Sequence, residues 1–274
     1  LLSVYKGTEQ GNFKTLHVVL PAGNSHRSRC HAHLHVCASK PTQTLRWHVL
    51  PDDPTANFVE LWFPEGVSPA VRLIPPFGAT PVEATRGSQD SRPGYCVVFP
   101  KRAAQSAHGS MALVFAGPSV PFDAALEPLF EFLGSPMNRS SLEVDWLRKT
   151  VHALGASADA GIASKKRVAD HGIWTIEVKA GSDPQSKDFQ FHAWVMRGDA
   201  APGRRQARHG NAGRQSYFLD AECETVDPRS TMNGIACLEH ERLWVVGAMR
   251  SADNTISTYS AAGPNRMSGD ERQG

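Results

Sequence analysis

The stretch Arg29-Cys-His-Ala-His-Leu-His-Val36 alternates, from residue 31 onward, between histidines and aliphatic side chains. Successive side chains of a β-strand point to opposite faces, so this alternation predicts a half-buried strand. One face is expected to carry the histidines His31, His33 and His35. The opposite face is expected to carry the apolar side chains of Ala32, Leu34 and Val36.

Short β-type runs recur on the C-terminal side of this strand, separated by clusters of proline, glycine and aspartate. Their positions are 45–50, 58–63, 71–74, 95–99, 111–115, 172–179 and 189–197. Regularly spaced short strands with such turns are typical of an antiparallel β-sandwich. The middle of the chain is therefore expected to form one.

The two ends of the chain have a different pattern from this middle. Residues 16–20 form an apolar run that stops at Pro21, Gly23 and Asn24, which predicts a strand followed by a tight loop. Leu243-Trp-Val-Val-Gly-Ala248 is a continuous apolar run, typical of a strand that is covered on both faces in an α/β sheet. A domain inserted into a surface loop of a host fold explains this difference, because such insertions are tolerated when the loop ends lie close together.

This interpretation divides the chain into three segments. Residues 1–36 and 214–274 are expected to form the two parts of the host fold, and residues 37–213 the inserted sandwich domain. A helical excursion is expected within the insertion near residues 122–166, because Ser141 is a good N-cap and leucine and valine follow it at helical spacing.

Composition limits the classes of protein that the chain can represent. Its 274 residues are 41% hydrophobic and 20% charged, with a net charge of +2, which is ordinary for a globular protein. No run reaches the roughly 18 apolar residues of a membrane helix, and the first six residues lack the regions of a signal peptide. Neither nucleic acid nor membrane is an expected partner. The five cysteines are an odd number without CxxC spacing, which slightly favours a reducing compartment.

The two ends of the chain also contain distinctive sequence motifs. The tail continues from its apolar run through Ser251-Ala-Asp-Asn254 to Tyr259-Ser-Ala-Ala-Gly-Pro264. It resembles the segment of subtilisin-like serine proteases that leads to the helix bearing the nucleophilic serine. The head, Val18-Val-Leu-Pro-Ala-Gly-Asn-Ser25, is similar to the strand and A-G-N loop of the same family. The two motifs stand in the family's order.

The middle also resembles a subset of this family. Some bacterial subtilases, including those that process spore-germination proteins, carry a jelly-roll domain between these two motifs. Phe58-Val-Glu-Leu-Trp-Phe63, Gly172-Ile-Trp-Thr-Ile-Glu177 and Gly213-Arg-Gln-Ser-Tyr217 look like parts of such an insertion. The resemblance thus implies an α/β subtilisin-like parallel-sheet portion, interrupted by an antiparallel, jelly-roll-like β-sandwich.

Asn24 is the candidate catalytic residue, because the resemblance places it at the asparagine that serves the oxyanion hole. Acyl transfer puts negative charge on the former carbonyl oxygen, and a preorganised amide donor stabilises that charge by about 3 kcal/mol. The alternative is that Gly23 and Asn24 only form a left-handed turn, since asparagine tolerates a positive φ.

The resemblance implies a serine endopeptidase that acts on polypeptides, yet the motifs for the triad aspartate, histidine and serine do not occur in this sequence. Ser110 in His108-Gly-Ser-Met-Ala112 is only superficially similar to a nucleophile motif. We expect the triad to lie outside residues 1–274, so these residues alone should be inactive. The partners expected are a polypeptide substrate or a propeptide, with no cofactor. The alternative is a pseudoprotease or a non-catalytic β-sandwich binding module.

A zinc site is the main competing hypothesis, because imidazole and thiolate are good zinc ligands and they crowd residues 26–37. The candidate ligands are His26, Cys30, His31, His33, His35 and Cys37. Residues two apart on a strand are about 7 Å apart, so a regular strand could offer only two of them to one ion. A polar strand face is the preferred interpretation, and no metal is expected.

Three weaker patterns also occur in the sequence. His240-Glu241 begins like a helical zinc-protease motif, but Trp244 stands where the second histidine is needed. The arginines Arg204, Arg205, Arg208 and Arg214 favour a solvated basic loop. The tryptophans Trp47, Trp62, Trp174 and Trp194 lie in β-type runs, where a core role is commoner than stacking on sugars. The motifs of α/β-hydrolases, P-loop proteins and dinucleotide-binding proteins do not occur.

Overall fold

The computed structural model of the chain describes residues 18–51, 53, 56–99, 110–117, 119, 169–196, 215–219 and 243–263. The strands in these ranges are β1 (Val18–Pro21), β2 (His31–Val36), β3 (Thr42–Val49), β4 (Asn57–Phe63), β5 (Ala70–Ile74), β6 (Val82–Thr85), β7 (Gln89–Arg92), β8 (Tyr95–Val98), β9 (Ser110–Ala116), β10 (Gly172–Lys179), β11 (Phe189–Val195), β12 (Tyr217–Leu219) and β13 (Leu243–Val246). The chain divides into two compact units, residues 29–227 and residues 1–28 with 228–274. The boundaries predicted from the sequence were 36 and 213.

The larger unit contains two antiparallel sheets. One has five strands in the order β12-β3-β10-β5-β6, and the other has six in the order β2-β11-β4-β9-β8-β7. Apolar side chains from both sheets form one buried cluster. The fully buried Trp174 of β10 meets Tyr95 of β8 edge-on with 5.2 Å between ring centroids, so these aromatic rings connect the two sheets directly.

The smaller unit contains a parallel pair of strands from opposite ends of the chain. β1 and β13 run in register from Val18 opposite Leu243 to Pro21 opposite Val246. After β13 the chain turns back, and Met249 forms an antiparallel bridge with Ile256. Two segments more than 200 residues apart in sequence therefore lie side by side.

The predicted α/β class is wrong for this protein. About half of the described residues lie in strands, nearly all of these strands belong to antiparallel sheets, and the described residues include no α-helix; the single parallel pair has only two strands. The prediction took the apolar run from 243 to 248 as evidence of burial on both faces. Trp244 and Val246 are instead 59% and 49% exposed. The prediction failed because a short apolar run does not show how many faces of a strand are covered. The predicted helical excursion at 122–166 lies outside the described residues.

The strands expected in the middle of the chain are confirmed. β10 has the predicted bounds, and the strands near 45–50, 58–63, 71–74, 95–99, 111–115 and 189–197 agree with the prediction to within a few residues. The short strands β6, β7 and β12 were not predicted. β7 consists of Gln-Asp-Ser-Arg at the edge of its sheet, and its polar composition hides it from a search for apolar alternation.

Gly181 makes a close backbone contact, which predicts a measurable stability effect. A Cβ at this position would overlap the carbonyl oxygen of Ser68 and lie 2.8 Å from the Cβ of Ser186. We expect Gly181→Ala to lower the free energy of unfolding by about 2 kcal/mol, because backbone must move to relieve the overlap. Urea unfolding followed by circular dichroism measures this. Ser182→Ala, at the exposed neighbouring position, is the control and should change stability little; equal effects would contradict the packing argument.

Candidate functional site

The Asn24 loop, residues 22–26, directly follows β1. Gly23 has a φ of +93°, while Asn24 is exposed and is not among the non-glycine residues with positive φ in the described ranges, which are Arg29, Phe77 and Asn254. Gly23 therefore makes the left-handed turn by itself. Asn24 itself does not adopt the left-handed conformation that the alternative allowed it, whereas Gly23 does.

Backbone hydrogen bonds fix this loop on both sides of Asn24. The amide of Ala22 donates to the carbonyl of Val246 over 2.8 Å, and the amide of Ala261 donates to the carbonyl of Gly23 over 2.8 Å. The amide of His26 donates to the carbonyl of Tyr259 over 3.4 Å. The side chain of Asn24 thus projects from an anchored backbone into an exposed position. Such a position suits a preorganised hydrogen-bond donor.

The tail motif supplies these anchors. After β13, the amide of Ala248 donates to Oγ of Ser260 over 3.0 Å, and the amide of Ser257 donates to the carbonyl of Ala248 over 2.9 Å. Gly247 passes so close to this serine that an added Cβ would lie 2.9 Å from its Oγ. Ser260 lies within this motif, but its role was not predicted from the sequence. The only hint in the sequence is a small residue at 247, which permits close approach.

Histidines from two strands form a stacked group on the outer face of the six-stranded sheet. His31 is fully buried, and its Nε2 lies 3.0 Å from Nδ1 of His192. The rings of His33 and His192 stack with 4.3 Å between centroids, and Trp194 stacks on His31 at 4.8 Å. The alternation predicted for β2 is confirmed, since its aliphatic residues belong to the core cluster. The histidine face is, however, partly buried against aromatic rings.

The zinc hypothesis gains no support from this geometry. Within the described residues no three histidine, cysteine, aspartate or glutamate side chains converge on a common point. Cys30 belongs to the core cluster, and Cys37 lies in a turn, where its Sγ is 3.2 Å from Oγ of Ser39. His35 pairs with Asp188 over 2.7 Å. The candidate ligands are therefore dispersed over the core, the sheet face and a turn.

Three of the four tryptophans and Ser110 are buried in the sandwich. Trp47 and Trp174 are fully buried, and Trp194 is 1% exposed. Ser110 is also buried and donates from Oγ to the carbonyl of Val67 over 3.2 Å. These four offer no accessible surface, whereas Trp62 is half-buried. His240-Glu241 and the arginines at 204, 205, 208 and 214 lie outside the described residues.

Glu60 lies on the same outer face as the histidines, opposite Trp194 of the neighbouring strand. Burial raises the pKa of the Glu60 carboxyl group, although the indole nitrogen of Trp62 donates to its Oε2 over 3.0 Å and acts in the other direction. A carboxyl whose pKa is raised on folding stabilises the protein fully only below its unfolded-state pKa. That contribution is lost as pH rises through the raised value.

We therefore expect Glu60→Gln to increase the free energy of unfolding at pH 7 relative to the wild type, with a smaller difference at pH 4. The amide avoids the cost of burying an ionised carboxylate. Urea unfolding at both pH values measures it. Glu83→Gln, on the charged outer face of the five-stranded sheet beside Lys179 at 3.7 Å, is the matched control. A loss of stability in Glu60→Gln at pH 7 would contradict the prediction.

Comparison with known proteins identifies a fold. Neither protein-family models nor curated proteins matched the chain. One of the solved structures to which the chain is similar matches over 93% of this chain, with a TM-score of 0.52 and 16% sequence identity. It is the CspB protease of Clostridium perfringens, of which this chain spans 40% of the length. At this identity the likeness shows a shared fold and supports the subtilisin-like resemblance only coarsely.

In the described ranges, no helix has both the length and the apolar character to cross a membrane. Cys37 and Cys96, both within these ranges, are free thiols. Cys223 and Cys237 lie outside the described residues.

Proposed function

We propose that this chain is part of a serine endopeptidase of the subtilisin-like type, in which Asn24 serves the oxyanion hole. The observation that carries the proposal is the parallel pairing of β1 with β13, which brings together the two sequence motifs that resemble this family. The fold likeness to a protease supports it independently. The same pairing leaves Asn24 exposed at the end of a strand, on an anchored loop.

The proposed chemistry is acyl transfer. A serine hydroxyl attacks the carbonyl carbon of the scissile peptide, a histidine accepts the serine proton, and the carbonyl oxygen gains negative charge. The side-chain amide of Asn24 donates a hydrogen bond to this oxygen. The tetrahedral intermediate then collapses to an acyl-enzyme as the protonated histidine gives its proton to the leaving amine, and water hydrolyses the acyl-enzyme.

The triad belongs, in this proposal, to parts of the protein outside residues 1–274. The sequence lacks the motifs that present the aspartate, the histidine and the nucleophile in this family. Residues 1–274 would therefore supply one contributor to the site and should not cleave peptides alone. The sandwich would act on access of the polypeptide substrate, or hold a propeptide.

Covalent labelling tests this proposal. The complete gene product should react with a biotinylated fluorophosphonate, which modifies activated serines, and should cleave a denatured polypeptide substrate such as casein. Residues 1–274 expressed alone should do neither and serve as the control. A complete protein that binds polypeptides but is neither labelled nor proteolytic would instead be a binding module or a pseudoprotease, and would overturn the proposal.

A further inference from the structure

The structure assigns Ser260 as a positioning residue for Asn24, an inference that rests on the proposed function and deepens it. Ser260 is 5% exposed and lies in the segment 259–261. Its Oγ accepts a hydrogen bond from the amide of Ala248 over 3.0 Å, just beyond the end of β13. This bond joins segment 259–261 to the strand that pairs with β1.

The residues on both sides of Ser260 hold the Asn24 loop. Tyr259 accepts from the amide of His26, and Ala261 donates to the carbonyl of Gly23. Asn24 lies between these two anchored residues. We call residues 259–261 the clamp. Its two outer residues bond to the Asn24 loop through their backbones, and the side chain of its central residue, Ser260, bonds to the end of β13.

Backbone hydrogen bonds through Ser257 also join the clamp to the end of β13. The amide of Ser260 donates to the carbonyl of Ser257 over 2.9 Å, and Ser257 in turn donates from its amide to the carbonyl of Ala248. Gly247 leaves room for the Ser260 hydroxyl, since an added Cβ would lie 2.9 Å from it. The position of the clamp relative to β13 is thus set by the Ser260 hydroxyl, by the backbone bonds through Ser257 and by the absence of a side chain at 247.

Positioning of this kind has a kinetic consequence. An oxyanion donor is effective only if it is aimed where the charge develops, and a displacement of about 1 Å can lower a rate up to 100-fold. Without the Ser260 hydroxyl, segment 259–261 loses its side-chain bond to β13, and the Asn24 amide loses its fixed direction. Ser260 itself does not contact the substrate, so its effect passes through Asn24.

A double-mutant cycle in the complete protease tests this inference. Wild type, Asn24→Ala, Ser260→Ala and the double variant are compared by kcat and KM on one peptide substrate. We expect Ser260→Ala to lower kcat about tenfold with KM nearly unchanged, and to add no further loss in the Asn24→Ala background. Gly247→Ala, which crowds the same hydroxyl, should show the same dependence on Asn24. Thermal unfolding midpoints show that each variant is folded at the assay temperature.

The control and the contrary outcomes are distinct. Ser257→Ala removes the same atom from a serine that is 3% exposed and whose backbone contacts to the clamp remain, so kcat should change little. An additive loss in the double variant, or an unchanged kcat in both Ser260→Ala and Gly247→Ala, would overturn the role of Ser260. If Asn24→Ala alone keeps wild-type kcat, the role proposed for Asn24 in the mechanism fails first.

Discussion

Replacing Asn24 by alanine in the complete protease should lower kcat by about 100- to 1000-fold while KM changes little. The amide of Asn24 is proposed to stabilise a charge that develops only in the transition state, so its loss affects turnover rather than substrate binding. Initial rates over a range of peptide concentrations separate the two constants.

Arg27→Ala is the matched control for this variant. Arg27 is exposed in the same stretch of chain, so its replacement tests whether any change near the loop impairs turnover. It should leave kcat within about twofold of the wild type, as is usual for surface substitutions away from a site. A wild-type kcat in Asn24→Ala, or an equal loss in Arg27→Ala, would remove Asn24 from the mechanism. Thermal unfolding of both variants confirms that they are folded.

Trp174→Ala should cause the largest loss of stability, about 3–5 kcal/mol in the free energy of unfolding. Trp174 is fully buried, contacts Tyr95 from the opposite sheet, and lies 6.3 Å from the ring of Trp47. Its indole nitrogen also donates to the carbonyl of Asp170 over 2.9 Å. Truncation leaves a cavity between the sheets, and urea unfolding by circular dichroism measures the effect.

Two control variants test whether the loss of stability comes from the buried volume of Trp174. Trp174→Phe keeps most of the ring but removes the indole hydrogen bond, so it should cost clearly less than alanine, by the cavity argument. Trp244→Ala truncates a side chain that is 59% exposed and should cost under about 1 kcal/mol. A Trp174→Ala loss no greater than that of Trp244→Ala would mean that Trp174 is not at the centre of the core.

The strands of the sandwich were predictable because local pattern decides them. Alternation in β2 and the apolar runs near β4 and β10 depend on neighbouring residues that face one core, which a short window of sequence contains. β7 escaped prediction because an edge strand buries little and needs no apolar alternation. The order of the strands in each sheet could not be predicted either, because β10 pairs with β3 and β5, which are more than 100 residues away in the chain.

The candidate site was predictable in part. Asn24 could be named because two motifs resembled one family, and the loop after β1 was expected from Pro21 and Gly23. Ser260 could not be named, because its role depends on a hydrogen bond to Ala248 that no spacing rule indicates. The buried histidine stack was missed for the same reason, since His192 reaches His31 from a strand 161 residues away.

The amino-acid sequence by itself determined where most strands form and which face of β2 is apolar. It also determined that a tight loop containing Asn24 follows an apolar segment. These properties follow from interactions within a few residues. Only the tertiary structure decided that the terminal segments meet as a two-stranded parallel pair without an α/β sheet around them in the described residues, and that Gly23 rather than Asn24 makes the left-handed turn. Pairing over such distances depends on the packing of the whole chain, because each contact gains its energy only when partners remote in sequence are brought together.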